Sequence, residues 1–186
     1  MNNPVLEYLN VSGNYSKKDL ILLENVLDFK TLEKDDFLLK KGEICSNICF
    51  IDNGAIYQYK IDSELDKAVI DLNISNDWVI NHKSFTSRKP SECYVQAYEK
   101  TSIYILSIES IHNLIAQSQS FLQMGKILEE ATSRVAYYDN NKTPDEKYEY
   151  LLKNKPQIIQ KFSQKIISSY LKMTPETLSR VRKRLK

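Results

Sequence analysis

Glu176, Thr177 and Arg180 bring a carboxylate, a hydroxyl and a guanidinium fork close together near the end of this 186-residue chain. On one side of a helix, such groups can read base-pair edges. The carboxylate of Glu176 can accept from cytosine N4, the fork of Arg180 can donate two bonds to guanine O6 and N7, and Thr177 can reach a base, a thymine methyl or a phosphate. Thr174, Ser179, Arg182, Lys183 and Arg184 lie around them, with Lys186 at the very end. Those groups suit phosphate contacts, which position a reader without specifying sequence.

The other chemistry-bearing residues are sparse. Cys45, Cys49 and Cys93 form an odd set with no Cys-x-x-Cys pair, so they read as small buried hydrophobes in a reducing compartment rather than as disulfides or a zinc site. A metalloenzyme on a small β-scaffold needs two or three histidines and a carboxylate converging on one ion. Only His82 and His112 exist, and they are far apart in sequence. No metal, no cofactor and no enzymatic activity are expected.

Two short helices must carry the reading residues. Residues 163–171 put Ile166, Ile167, Tyr170 and Leu171 on one side, and Lys172-Met173-Thr174 leaves room only for a tight turn. Thr174 is then an N-cap with Pro175 at the first helical position, and Leu178, Val181 and Leu185 recur at spacings of 3 and 4. This pattern predicts a helix-turn-helix with the exposed face of its second helix lying in the major groove.

Charge supports that division of labour. Residues 1–141 carry 14 Lys/Arg against 20 Asp/Glu, a balance of −6, whereas residues 142–186 carry 12 against 4, a balance of +8. The near-neutral total of +2 therefore hides a basic tail on an acidic body, the electrostatic outline of a nucleic-acid reader beside another module.

Ahead of the tail, residues 29–107 read as short strands with turn punctuation. Ile48–Ile51, the turn Asp52-Asn53-Gly54 and Ala55–Ile61 carry a hairpin signal, and Lys67–Leu72, Cys93–Tyr98 and Ser102–Leu106 are further strand candidates. So many short strands predict a barrel or roll. Helices are expected over 16–27, capped by Ser16, and over 108–116. From Gln119 to Asp139, Phe121, Met124, Leu128, Ala131, Val135 and Tyr138 repeat at spacings of 3, 4, 3, 4 and 3. Such a seam, roughly 30 Å long, is read as a homodimer helix, with Leu122 and Ile127 packing on the chain's own barrel. Thr143-Pro144-Asp145-Glu146 then opens a new helix with a capping box.

The run from Lys165 through Met173 to Arg180, with its Glu176-Thr177-Leu178-Ser179-Arg180 core, resembles the helix-turn-helix of Crp/Fnr-type bacterial transcription regulators. Lys41-Gly42-Glu43 and Asp52-Asn53-Gly54 resemble turns of that family's cyclic-nucleotide-binding β-roll, and the heptad stretch resembles its dimer helix. The resemblance covers nearly the whole chain. It implies an α+β protein with an antiparallel β-roll sensor domain over 1–116, a dimerisation helix over 117–140 and a helix-turn-helix domain over 141–186. The implied partners are double-stranded DNA, a second copy and RNA polymerase, in the cytoplasm and away from membranes. Lys172 stands where the family usually has Gly, and the sequence stops after the recognition helix, so the family's β-wing is expected to be absent.

The sensor pocket departs further. The family places a Gly-Glu pair and an Arg-Ser/Thr pair around the cyclic nucleotide, and the corresponding residues here are Ile80-Asn81 and Ser91-Glu92. A phosphate wants a cation or a cradle of N–H groups, and a carboxylate at Glu92 and a bulky Ile80 supply neither. Arg88 or Lys89 would have to substitute, and His82 in the same loop is the one candidate for a haem ligand. The expectation is a degenerate pocket formed by Ile80, Asn81, His82, Ser91 and Glu92 that takes an unidentified small molecule or none. The competing reading is a ligand- or protein-binding regulatory module of the same fold without specific DNA binding.

Overall fold

Residues 28–107 fold into two four-stranded antiparallel sheets. The computed structural model describes residues 3–62, 66–139 and 142–185, with the side chains of 136–139 outside that description. The strands are β1 (Asp28–Leu32), β2 (Phe37–Leu39), β3 (Asn47–Asn53), β4 (Ala55–Ile61), β5 (Lys67–Ile74), β6 (Trp78–Val79), β7 (Tyr94–Ala97) and β8 (Thr101–Ser107). One sheet runs β1-β8-β3-β6 and the other β2-β7-β4-β5.

The Asp52-Asn53-Gly54 turn does not close a hairpin. β3 pairs with β6 and β8 and β4 pairs with β5 and β7, so the turn carries the chain from one sheet to the other. Gly54 makes that corner at φ +116, and a Cβ there would sit 2.4 Å from Thr101 Oγ1. Thr101 Oγ1 in turn accepts from Ala55 N at 3.1 Å. The corner is therefore fixed by a close inter-sheet approach, which a two-residue hairpin signal does not reveal.

Local signals set the helix starts. α1 (Pro4–Ser12) is capped by Asn3 and α2 (Lys17–Glu24) by Ser16, which forms a capping box with Asp19. α3 (His82–Ser87) follows β6, and α4 (Ile108–Gln117) follows β8 with Ser107 as its cap. The expected long helix from Gln119 is broken: Gln119–Met124 is a 3₁₀ turn, and α5 runs over Gly125–Asp139. Glycine is a poor helix interior residue, and here it stands at the junction. α6 (Pro144–Asn154) carries the Thr143/Glu146 capping box, followed by α7 (Pro156–Lys161), α8 (Gln164–Tyr170) and α9 (Pro175–Arg184).

Two apolar cores result. The first lies inside the roll and takes in Val5, Leu23, Phe50, Ile103, Leu114 and Phe121. The second joins α6–α9 to the outer face of the β4–β5 pair, with Tyr57, Tyr59 and Val69 packed in one cluster with Phe162, Tyr170 and Leu178. Alternation along β4 explains the sharing, because Ile56 belongs to the first core and its neighbour Tyr57 to the second. Each fully buried side chain of this size contributes about 1.5–3 kcal/mol.

Candidate nucleic-acid interface and the adjoining cavity

The two C-terminal helices, α8 and α9, are joined by the expected tight turn. Ser163 caps α8 by accepting from Ile166 N, and Ile167, Tyr170 and Leu171 are buried with Ile166 half-buried. The turn closes through Lys172 N to Ser169 O at 3.1 Å and Met173 N to Ser168 O at 3.0 Å. Lys172 takes φ +58, the left-handed conformation that a glycine would adopt without strain. Thr174 then accepts from Thr177 N at 3.2 Å and starts α9, whose Leu178 and Val181 are fully buried.

On the outward side of α9, Glu176, Ser179, Arg180 and Lys183 are exposed, while Thr177 and Arg182 are half-buried. The Glu176 carboxyl is held below its ordinary range by its own backbone N–H and then by the Thr174 hydroxyl, so it stays an acceptor. Arg180 makes one long bond, Nε to Glu176 O at 3.4 Å. Arg184 is different. One of its guanidinium nitrogens bonds both carboxylate oxygens of Asp145 in α6, at 2.7 and 2.8 Å. That group was expected on a phosphate and is engaged inside the domain, because the two helices meet at this point. Lys186 lies outside the described residues.

The α8–α9 unit sits against the roll. The hydroxyl of Ser169 accepts from Val69 N at 2.9 Å and donates to Lys67 O at 3.1 Å, and Lys172 Nζ donates to Val69 O at 3.2 Å. Those groups belong to β5, an edge strand. Tyr98 and Phe162 pack as a tilted ring pair with centroids 4.6 Å apart, and Lys155 pairs with Asp77 at 2.6 Å.

Beside this junction lies a cavity of about 900 Å³. All five expected pocket residues, Ile80, Asn81, His82, Ser91 and Glu92, line it. Asn81, Ser91 and Glu92 already have partners. Asn81 Oδ1 accepts from Ser84 N at 3.1 Å as the cap of α3, Ser91 exchanges hydrogen bonds with the backbone of Cys93, and Glu92 is clamped by Lys60 and Lys83, each at 2.6 Å. The bond from Lys60, then that from Lys83, holds the Glu92 carboxyl down at about 2. Arg88 is turned away, its guanidinium bonded to Cys45 O and Ser46 Oγ, whereas Lys89 lines the cavity.

The heptad seam faces inward. Phe121, Met124 and Ala131 are buried in the chain's own core, Leu128 and Val135 are half-buried, and Val135 and Ala131 also line the cavity. The side chain of Tyr138 lies outside the described residues. Ile127 packs on the barrel as expected, but Leu122 is 61% exposed, because the 3₁₀ turn rotates it away from the core. The sequence reading missed one group here. Arg134 of α5 grips Asp71 of β5 through two bonds of 2.9 and 2.7 Å, and Asp71 is only 1% exposed. Burial opposes the charge on Arg134, yet the Asp71 carboxylate outweighs it and its pKa is raised. The one hint was an aspartate inside an apolar strand, 63 residues from its partner.

Cys45, Cys49 and Cys93 are buried thiols, and no cluster of three or more metal-ligating side chains occurs among the described residues. Among the same residues, no helix is long and apolar enough to cross a membrane.

No family model and no curated protein matches the chain. Solved structures do. FixK2 from Bradyrhizobium japonicum aligns over 86% of this chain and 84% of its own at 19% identity with a TM-score of 0.68. A CooA mutant from Carboxydothermus hydrogenoformans aligns over 100% and 85% at 18% identity and 0.65. The Catabolite Activator Protein of Thermus thermophilus aligns over 98% and 86% at 11% identity and 0.59. These likenesses establish a common fold, a cyclic-nucleotide-binding-like roll with C-terminal helices.

Proposed function

We propose that the chain is a DNA-binding transcription regulator of the Crp/Fnr type, not an enzyme, working in the cytoplasm with duplex DNA, a second copy of itself and RNA polymerase as partners. One observation carries this reading: α9 is anchored by buried Leu178 and Val181 and turns Glu176 and Arg180 to solvent, beside half-buried Thr177. In a major groove these three face base edges, and Thr174, Ser179, Arg182 and Lys183 face phosphates. Arg184 joins them on releasing Asp145.

The regulator acts as a homodimer on a pseudo-palindromic site with half-sites roughly 34 Å apart. Its dimer surface is the outward side of α5 together with exposed Leu122, since Phe121, Met124 and Ala131 are committed to the chain's own core. The pocket does not take a cyclic nucleotide, because Ile80-Asn81 and Ser91-Glu92 stand where the family's ribose- and phosphate-binding pairs would be, Asn81 Oδ1 and Ser91 are spent on the backbone and Glu92 on Lys60 and Lys83.

Fragmented genomic DNA passed over the purified protein tests the reading. Sequencing the retained fragments is expected to return one inverted-repeat motif, and sedimentation is expected to give a dimer. Retention without any common motif overturns the DNA-regulator reading in favour of a ligand- or protein-binding regulatory module.

A further inference from the structure

Strand β5 is bonded in two directions. Toward α5, its Asp71 carboxylate holds Arg134 through bonds of 2.9 and 2.7 Å. Toward the α8–α9 reader unit, the backbone of this edge strand takes three more bonds at Val69 and Lys67. Ser169 Oγ accepts from Val69 N and donates to Lys67 O, and Lys172 Nζ donates to Val69 O. One short strand therefore connects the helix whose outward side meets a second copy to the helix pair that meets DNA.

The two kinds of contact at this junction do different things. Apolar packing of Val69 and Leu72 with Phe162 and Tyr170 keeps the reader unit on the roll, but such contacts are non-directional and permit sliding. Hydrogen bonds to particular backbone atoms are directional, so Ser169 and Lys172 decide where along β5 the unit sits. Lys172 holds a left-handed turn conformation, φ +58, that strains a side-chain-bearing residue and not a glycine. Glycine in its place would relieve the strain and lose the bond to Val69 O.

We propose that β5 is a ruler, with Ser169 and Lys172 as positioning residues: it fixes the separation of the two α9 helices in the dimer, and with it the half-site spacing that the protein accepts. The accepted spacing rests on the DNA-regulator reading; the fixed separation rests on its dimer alone. One added base pair moves a half-site by about 3.4 Å and turns it by about 35°, and a rigidly held α9 cannot follow.

Two measurements on the full chain test the ruler. The first uses no DNA: a nitroxide on Ser179→Cys, exposed on α9 while Cys45, Cys49 and Cys93 are buried, reports the distance between the two helices by double electron–electron resonance. A single narrow distance is expected, and Ser169→Ala with Lys172→Gly is expected to broaden it. Both changes suit the backbone they enter, alanine in a helix and glycine at positive φ, so far-UV circular dichroism is expected to stay unchanged. The second measures affinity, on the unlabelled chain, for the selected inverted repeat with one base pair inserted between its half-sites. The insertion is expected to weaken wild type by about a hundredfold and the double variant by about tenfold or less. Lys172→Gly alone is expected to fall between them, and Lys172→Arg, which keeps a donor for Val69 O, is expected to match wild type. A distance distribution or a spacing penalty that the double variant leaves unchanged overturns the proposal, as does a wild type indifferent to spacing. A chain that gives no dipolar distance because it stays monomeric overturns the ruler and the dimer together. A narrow distance that broadens in the double variant, in a protein that selects no DNA motif, strikes the regulator reading and leaves the fixed separation standing.

Discussion

Arg180 and Arg184 stand one helical turn apart on α9 and are expected to respond differently to removal. Arg180→Ala is expected to cost about 1–3 kcal/mol of discrimination at one base pair, with other positions unaffected. Arg184→Ala is expected to weaken every sequence alike and to lower the slope of log K against log salt by about 1. Binding titrations at several salt concentrations on matched and mismatched sites check both. Asp145 competes for Arg184, so Asp145→Ala is expected to tighten binding on all sequences. Glu92 makes a different prediction. Its folded-state carboxyl, at about 2, lies below the ordinary value of 4.5. Its contribution to stability is therefore complete above about 4.5 and lost as pH falls through about 2. Acid denaturation curves of Glu92→Gln are expected to be flatter than wild type across that window. The helix that presents Glu176, Thr177 and Arg180 was legible from type and spacing because α9 is short and capped locally by Thr174. The ion pair of Arg184 was not, since its partner is 39 residues away and meets it only when α6 and α9 pack.

At the scale of elements, α5 shows how an apolar repeat can be legible as a pattern while its partner is not. A spacing of 3 and 4 specifies one buried face but not what buries it. Here Gly125 divides the stretch into a 3₁₀ turn and a helix, and the roll covers the face. The strands were legible as strands, yet the turn at Gly54 leads between sheets because Thr101, opening β8 beside Asn53, packs closely against it. What ties α5 to β5 is the Asp71–Arg134 pair. Removing one partner strands a buried charge, so Arg134→Ala is expected to lose about 3–5 kcal/mol, whereas the double change Asp71→Leu with Arg134→Met is expected to recover most of it. Urea denaturation of the two singles and the double, arranged as a cycle, measures the coupling.

For the whole molecule, the decisive feature is that the second core is shared, so the reader unit and the roll are not independent bodies in this state. The sequence marked their boundary by charge, −6 against +8. It could not mark the docking, because Tyr57, Tyr59 and Val69 look like ordinary strand residues until one asks which sheet face is already full. Ser169 offers a direct probe of the junction. Ser169→Ala removes both its bonds to β5 and is expected to cost about 1–3 kcal/mol if the Val69 amide is left without a partner. Hydrogen exchange at Val69 is expected to accelerate while Ile103, deep in the other sheet, is unchanged.

That same contact has a consequence for solubility. β5 is an edge strand, and an uncovered edge is a template on which another chain can add a strand. Ser169 and Lys172 occupy the Val69 and Lys67 backbone groups and so act as a guard on that edge. Any event that swings the reader unit away also bares the edge, so the undocked form is the aggregation-prone one. Conditions that release it are expected to raise light scattering before they lower helix content.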